Sequence, residues 1–305
     1  MSILVVGSVA FDSVQTPFGK VEDILGGAAS FFSVTASFFS GVNMVAVVGE
    51  DFPQVHIDLF KRFSIDTRGL QQVPGKTFRW VAEYGQALNE AKTLATYLNV
   101  FENFSPEIPE EYRDSEYVFL GNIDPVLQRR VLTQVHQPRF VACDTMNYWI
   151  NNTPQELKET LALVDILIIN DQETRMLAGE ANLTKAARII RSMGPKILVV
   201  KKGEYGVSLF LEDSIFSAPA FPLEAVYDPT GAGDTFAGGF VGYLAKAGKL
   251  DEGTLRKAII YGSVMASFAV EDFSLNRLVR LTPDEIRQRS VQFKQLTDFE
   301  SDTVF

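Results

Sequence analysis

The sequence predicts a doubly wound α/β fold, a mainly parallel sheet flanked by helices, with a small antiparallel β lid outside it. Three observations carry this. Short apolar runs recur along the chain, helical patterns separate most of them, and one aromatic, β-branched pair of segments breaks the alternation. Strands buried on both faces read as continuous apolar runs, and strand–helix alternation marks a layered α/β core.

Ser2–Gly7 (SILVVG) is the first buried strand, and Ala28–Ser40, rich in Ala, Ser and Phe, is a packed helix. Asn43–Val48 is a second strand, ending at Gly49. Further strands follow at Tyr117–Gly121, Phe140–Asp144, Ile166–Asn170 and Ile197–Lys201, with helices at Asp124–Val135, Thr153–Val164 and Leu183–Ser192 between them. Thr77–Tyr84 and Thr93–Phe101 form an antiparallel hairpin across the polar turn Gly85–Lys92, and Leu70–Val73 and Ser13–Gly19 are candidates to extend it. Beyond Phe210, Thr235–Lys246, Glu252–Val270 and Pro283–Leu296 read as helices, and the acidic tail after Thr297 as frayed. With no repeat or linker, residues 1–305 read as a single domain with a lid formed from about 13–19 and 70–101.

Composition narrows the function. The chain is 46% hydrophobic, enough for a full core, and its net charge of −10 argues against nucleic acid or anionic membrane as partner. The single cysteine, Cys143, excludes an internal disulfide, fits a reducing compartment and reads as core at a strand end. No basic leader precedes the first strand and no apolar run approaches a bilayer span, so a cytoplasmic location is expected. His56 and His136, the only histidines, read as surface residues, leaving little material for zinc hydrolysis or Ser-His-Asp chemistry. Pro74-Gly75-Lys76-Thr77 looks like the end of a P-loop, but a strand follows it rather than a helix.

The strongest chemical signal is Asp228-Pro229-Thr230-Gly231-Ala232-Gly233-Asp234, running into a helix from about Asp234. Gly231, Ala232 and Gly233 turn backbone N–H groups toward one point at a helix N-terminus, where the dipole also favours negative charge. Asp234 then reads either as a helix cap or as a general base facing an anion hole.

This loop resembles the Asp-Thr-Thr-Gly-Ala-Gly-Asp signature of the ribokinase-like (PfkB) family of carbohydrate and nucleoside kinases, with Pro229 as the departure. Other marks of the family stand in order: Gly7-Ser8 with Asp12, Gly26-Gly27, Asn170-Asp171-Gln172-Glu173, and Lys201-Lys202-Gly203-Glu204-Tyr205-Gly206. The resemblance covers essentially the whole chain and implies phosphoryl transfer from ATP to a hydroxyl, with Asp234 as base and Gly231, Ala232 and Gly233 holding the phosphoryl charge. It implies substrate hydroxyls on Asp12 beside Gly26 and Gly27, and nucleotide beside Lys201 and Gly203. Asn170 and Glu173 would help place Mg²⁺ through water, and Asp228 and Thr230 imply a monovalent cation such as K⁺.

Phe31 stands where the family usually has a substrate-contacting Asn, so the residues leave open whether it packs on a sugar, on a purine or in the core. The motif Cys143-Asp144-Thr145-Met146-Asn147-Tyr148-Trp149 lies at a strand end and reads only as a pocket wall. A carbohydrate kinase is the leading expectation and a nucleoside kinase the alternative. The intact Gly231–Asp234 loop argues against an idle sensor or assembly subunit. A homodimer through the lid is also expected.

Overall fold

The structure is a computed structural model that describes residues 2–86, 88–89 and 91–298. Its chain order is β1 (Ser2–Val6), β2 (Ala10–Thr16), β3 (Gly19–Gly26), α1 (Ala28–Ala36), β4 (Gly41–Gly49), α2 (Gln54–Arg62), β5 (Ile65–Val73), β6 (Phe78–Tyr84) and β7 (Ala91–Tyr97). Then come β8 (Tyr117–Leu120), α3 (Pro125–Leu132), β9 (Phe140–Asp144), α4 (Asn147–Asn152), α5 (Pro154–Leu161), β10 (Ile166–Asn170), α6 (Asp171–Ala178), α7 (Leu183–Arg191), β11 (Ile197–Lys201), β12 (Val207–Phe210) and β13 (Ile215–Ala218). Three long helices close the described chain: α8 (Ala232–Ala247), α9 (Glu252–Ala269) and α10 (Pro283–Thr297).

The large sheet runs β13-β12-β11-β10-β9-β8-β1-β4-β5. From β11 through β5 every pairing is parallel, and β12 and β13 add antiparallel at one edge. Its central strands are fully apolar and buried because helices cover both faces, and one core lies on each side. On one side α1 crosses α8 so closely that Gly238 and Gly242 meet the α1 backbone near Phe32 and Ala36. Three glycines in α8 are therefore a packing device, since their helix propensity is poor. The parallel strands deliver Asp144, Asn170 and Lys201 to one edge, the C-terminal edge where α/β proteins gather ligands.

The second sheet runs β3-β2-β6-β7: two antiparallel pairs, β2–β3 and β6–β7, joined by parallel pairing of β2 with β6. The expected hairpin is present, though its second strand ends at Tyr97 and a 3₁₀ turn follows over Asn99–Asn103. Two expectations for the lid need correction. Leu70–Val73 is no lid strand, because it finishes β5, which pairs in parallel with β4 at the edge of the large sheet. The 13–19 arm is longer than expected, because Gly19–Gly26 forms a full strand back to Asp12 and Ala10.

His56 also departs from expectation. It is half-buried on α2, with its ring 6.0 Å from Phe11 and 5.3 Å from Phe52. Burial lowers its pKa. His136 is exposed as expected, beside Asp114. Cys143 is buried in the core, and burial raises its thiol pKa. Thr77, the end of the P-loop look-alike, leads directly into β6 and bonds Asp51 at 2.7 Å. Among the described residues no helix is long and apolar enough to cross a membrane.

Candidate active site

The loop before α8 builds an anion hole. Gly231 caps the helix at φ +73°, a left-handed conformation that L side chains rarely adopt. A Cβ there would lie 2.5 Å from the Phe31 ring, so Phe31 is the buried floor beneath the loop and presents no face to a substrate. The N–H groups of Gly231, Gly233 and Asp234 have no hydrogen-bond acceptor among the described residues, as helix starts leave them. The N–H of Ala232, expected to join them, bonds instead to Pro229 O at 3.2 Å. Lys201 completes the hole, with Nζ 2.9 Å from the position a Cβ of Gly233 would take.

Asp234 is in the first turn of α8, but it is not the cap, which is Gly231, and its carboxylate has no hydrogen-bond partner among the described residues. Burial, and then the charge of Asp144, push its pKa up to about 7, with Lys201 opposing. Asp144 is itself buried, accepts the Thr145 N–H at 2.8 Å, and lies 3.6 Å from Lys201 Nζ. Burial works against the Lys201 charge, but Asp144, Glu173 and Asp234 outweigh it and hold the pKa above its ordinary value.

Asn170 and Glu173 form a reciprocal capping box on α6. Asn170 Oδ1 accepts the Glu173 N–H at 2.8 Å and Glu173 Oε2 accepts the Asn170 N–H at 2.9 Å. Burial, then Asp144, lift the Glu173 carboxyl to about 7, with Lys201 and hydrogen bonds from Asn170 opposing. A charge-crowded carboxylate suits a hydrated divalent cation, which keeps most of its waters. No cluster of three or more His, Cys, Asp or Glu among the described residues would coordinate a metal directly.

On the lid side, the Asp12 carboxylate occupies the space where a Cβ of Gly26 would stand, 1.9 Å from that position, so only glycine fits there. Gly27 turns the chain into α1, whose first N–H groups bond Ser8 Oγ at 3.1 Å and Ser8 O at 2.9 Å. Burial, then Asp228 and Asp234, raise Asp12 to about 7. Asp228 bridges two loops, accepting the N–H of Thr230 at 2.9 Å and of Ser274 at 3.4 Å. The Thr230 hydroxyl bonds Tyr84 of β6 at 3.2 Å, and burial raises that phenol to about 12. Asp228 and Thr230, the residues expected at a monovalent cation, thus also tie the loop before α8 to Ser274 and to the lid.

A cleft of about 690 Å³ opens beside the anion hole, lined by Lys201, Gly203, Gly233, Phe221 and Ser267 among others. The lid hairpin reaches it too. Gln86, Leu88 and Asn89 line its rim, and Asn89 Nδ2 donates to Glu204 Oε1 at 3.1 Å.

The model of the pfkB family of carbohydrate kinases matches residues 2–279. The chain belongs to the pfkB family. Members of the pfkB family are phosphotransferases that act on hydroxyl groups, and the match spans both sheets and the anion hole. Among its relatives, a cytidine kinase of Thermococcus kodakarensis is 29% identical over 258 residues, 83% of this chain and 91% of that protein. A nucleoside kinase of Methanothermobacter thermautotrophicus is 24% identical over 95% of this chain and 96% of its own length. A deoxyribokinase of Salmonella typhi is 26% identical over 83% of this chain and 84% of its own. In fold, the chain is similar to the Methanocaldococcus jannaschii nucleoside kinase (TM-score 0.76, 20% identity, 95% of this chain and 98% of that one). It is also similar to Salmonella enterica aminoimidazole riboside kinase complexed with aminoimidazole riboside and an ATP analogue (TM-score 0.75, 19% identity, 95% and 100%).

The structure thus brings Asp234, Gly231, Gly233, Lys201, Asn170 and Glu173 to one edge, with Asp12 and Gly26 facing them from the lid root. Sequence reasoning read Asp144 only as part of a pocket wall and missed Tyr84 and Asn89. Asp144 had a signal, a carboxylate closing an apolar strand, whereas the other two depend on how the lid folds over.

Asp12, Glu173 and Asp234 all sit near 7 in the fold, against ordinary values of 3.8, 4.5 and 3.8. A raised carboxyl binds its proton more tightly folded than unfolded, so the folded state gains as pH falls through about 7 toward the unfolded values. His56, lowered by burial, opposes this as a single group. The Tm of the ligand-free protein is expected to rise by a few degrees from pH 8 to pH 5.5. A scanning-fluorimetry series that is flat or falls over that range contradicts the buried-acid description.

Proposed function

We propose that the chain transfers the γ-phosphoryl group of ATP to a hydroxyl of a small sugar-bearing substrate, with Asp234 as general base. The observation that carries this is a carboxylate with no internal hydrogen bond, raised to about 7, beside three unpaired N–H groups and one lysine. A base works best with a pKa near the working pH, and phosphoryl transfer needs mainly positioning and charge stabilisation. Asp234 accepts the proton as the hydroxyl attacks. The Gly231 and Gly233 N–H groups, the α8 dipole and Lys201 face the charge that develops on the phosphoryl oxygens.

The nucleotide lies along the cleft between Lys201, Gly203 and Gly233. Asn170 and Glu173 would hold Mg²⁺ through water, and bound there it would supply charge neutralisation on the phosphates. Asp12 accepts substrate hydroxyls beside Gly26 and Gly27. The lid, fastened through Tyr84 to Thr230, excludes water and limits idle ATP hydrolysis. A monovalent cation at Asp228 and Thr230 is not needed for any of these steps.

A second reading, a nucleoside as the acceptor, is favoured by the cytidine and nucleoside kinases among the relatives similar over most of the chain. A homodimer through the lid is supported by its edge strand β7, which exposes backbone and the side chains of Leu94 and Tyr97. Light scattering at micromolar concentration should give about twice the chain mass; a mass of 33.9 kDa contradicts the dimer.

ADP release measured with MgATP across cytidine, other nucleosides, ribose and 2-deoxyribose identifies the acceptor. On that acceptor, Asp234→Asn should lower kcat by about 10²–10⁴-fold. The Tm should change little, because Gly231 rather than Asp234 caps the helix. Turnover within threefold of wild type removes Asp234 as the base.

A further inference from the structure

We propose that Asp144 is a positioning residue that holds the Lys201 ammonium in the anion hole and keeps it off Asp234. The inference rests on the reading of Gly231–Asp234 as the phosphoryl site, and it concerns a residue with no role in that reading so far.

Lys201 ends β11 and Asp144 ends β9, on either side of β10. A lysine carries its charge on a flexible four-carbon stem, so its head goes where the local charges place it. Three carboxylates surround this one: Asp144 from β9, Glu173 from α6 and Asp234 from α8. Only Asp144 lies within ion-pair distance, at 3.6 Å, and its side chain is almost fully buried. Its own direction is fixed from behind, because Oδ1 accepts the Thr145 N–H at 2.8 Å while Oδ2 faces Nζ.

The consequence is visible at Gly233, where Nζ lies 2.9 Å from the position a Cβ would take. The ammonium is thus held at the first turn of α8, near a residue whose backbone N–H is unpaired among the described residues. Were Lys201 to turn to Asp234, it would take up the carboxylate that must accept a proton and leave the hole without its cation. Asp144 competes for the ammonium and wins it, so the base and the cation stay apart though both belong to one cluster. Beside this pair the Thr145 hydroxyl is buried with no hydrogen-bond partner among the described residues. Asp144 touches no reacting atom in this arrangement and acts only through Lys201.

A double-variant cycle with MgATP tests this, using the best acceptor among cytidine, other nucleosides, ribose and 2-deoxyribose. Asp144→Asn and Lys201→Met should each lower kcat by about 10–10³-fold, the range of a lost transition-state donor. The acceptor KM should move less than about threefold, since Asp12 is untouched. The Asp144→Asn/Lys201→Met double variant should fall no more than about threefold below Lys201→Met alone, because residues acting as a unit are not additive. Asp144→Asn within threefold of wild type, or a double variant equal to the product of the singles, overturns the proposal.

Should Asp144→Asn fail to fold, the neutral pair must fold, since the loss would come from Lys201 deprived of its ion-pair partner. A double variant that also fails shows a structural duty of Asp144 independent of Lys201, and likewise overturns it. Full activity of Asp234→Asn would remove the base assignment, while the cycle would still report whether Asp144 acts through Lys201.

Discussion

The structure depends on one electrostatic constraint: three carboxylates, Asp144, Glu173 and Asp234, from the edge of the large sheet and the start of α8, meet around the single ammonium of Lys201. Two more crowd the cluster without a cation of their own among the described residues: Asp12 from the lid root feels both Asp234 and Asp228, the latter from the loop before α8. Taking carboxylates out of water is costly unless each finds compensation, and the raised pKa values record how incomplete that compensation is. Two members are settled internally: Asp228 by two backbone N–H groups, Asp144 by the Thr145 N–H and Lys201. Asp12, Glu173 and Asp234 are the three lifted to about 7, and they are the groups to which the proposed reading gives substrate hydroxyls, a hydrated metal and a transferable proton. Ligand binding therefore completes an arrangement that the folded chain leaves electrostatically unfinished.

The lid belongs to the same arrangement. Its strand β2 carries Asp12, its strand β6 carries Tyr84 to Thr230, and the turn beyond β6 brings Asn89 to Glu204. Ser274, which bonds Asp228, also holds Leu25 of β3 through its hydroxyl. One small sheet thus touches the proposed acceptor site at Asp12, the loop that carries Asp234 and the rim of the cleft beside it. A displacement of the lid would loosen all three together, which fits an enzyme that must exclude water before the phosphoryl group moves.

The parts of this picture legible in the sequence were those encoded locally. The central strands stood out because burial on both faces makes them apolar throughout; Phe140–Asp144, Ile166–Asn170 and Ile197–Lys201 were bounded to the residue. The glycine loop was legible because its chemistry is backbone chemistry within seven residues. Strand β3 (GKVEDILG) was hidden because its outer half is polar and exposed, as half-solvated strands are. Strand β5 misled because only its end, Leu70–Val73, looks strand-like and its neighbours in sequence do pair in the lid. Asp144 was passed over because its importance lies in Lys201, a residue two strands away. Phe31 could not be placed until the loop above it was seen, since the same ring serves a core or a ligand equally well.

The account turns on Asp234 being a carboxylate poised near neutrality, and the pH dependence of kcat/KM for the acceptor measures that property in the free enzyme. Initial rates from pH 5.5 to 9 should fall on the acid side with an apparent pKa near 7, where burial and Asp144 hold Asp234. Asp12 titrates in the same region, so the wild-type limb belongs to the pair, and the limb should persist in Asp12→Asn. Rates that stay level through pH 7 and fall only below about 5, as for an ordinary carboxyl, would contradict the account.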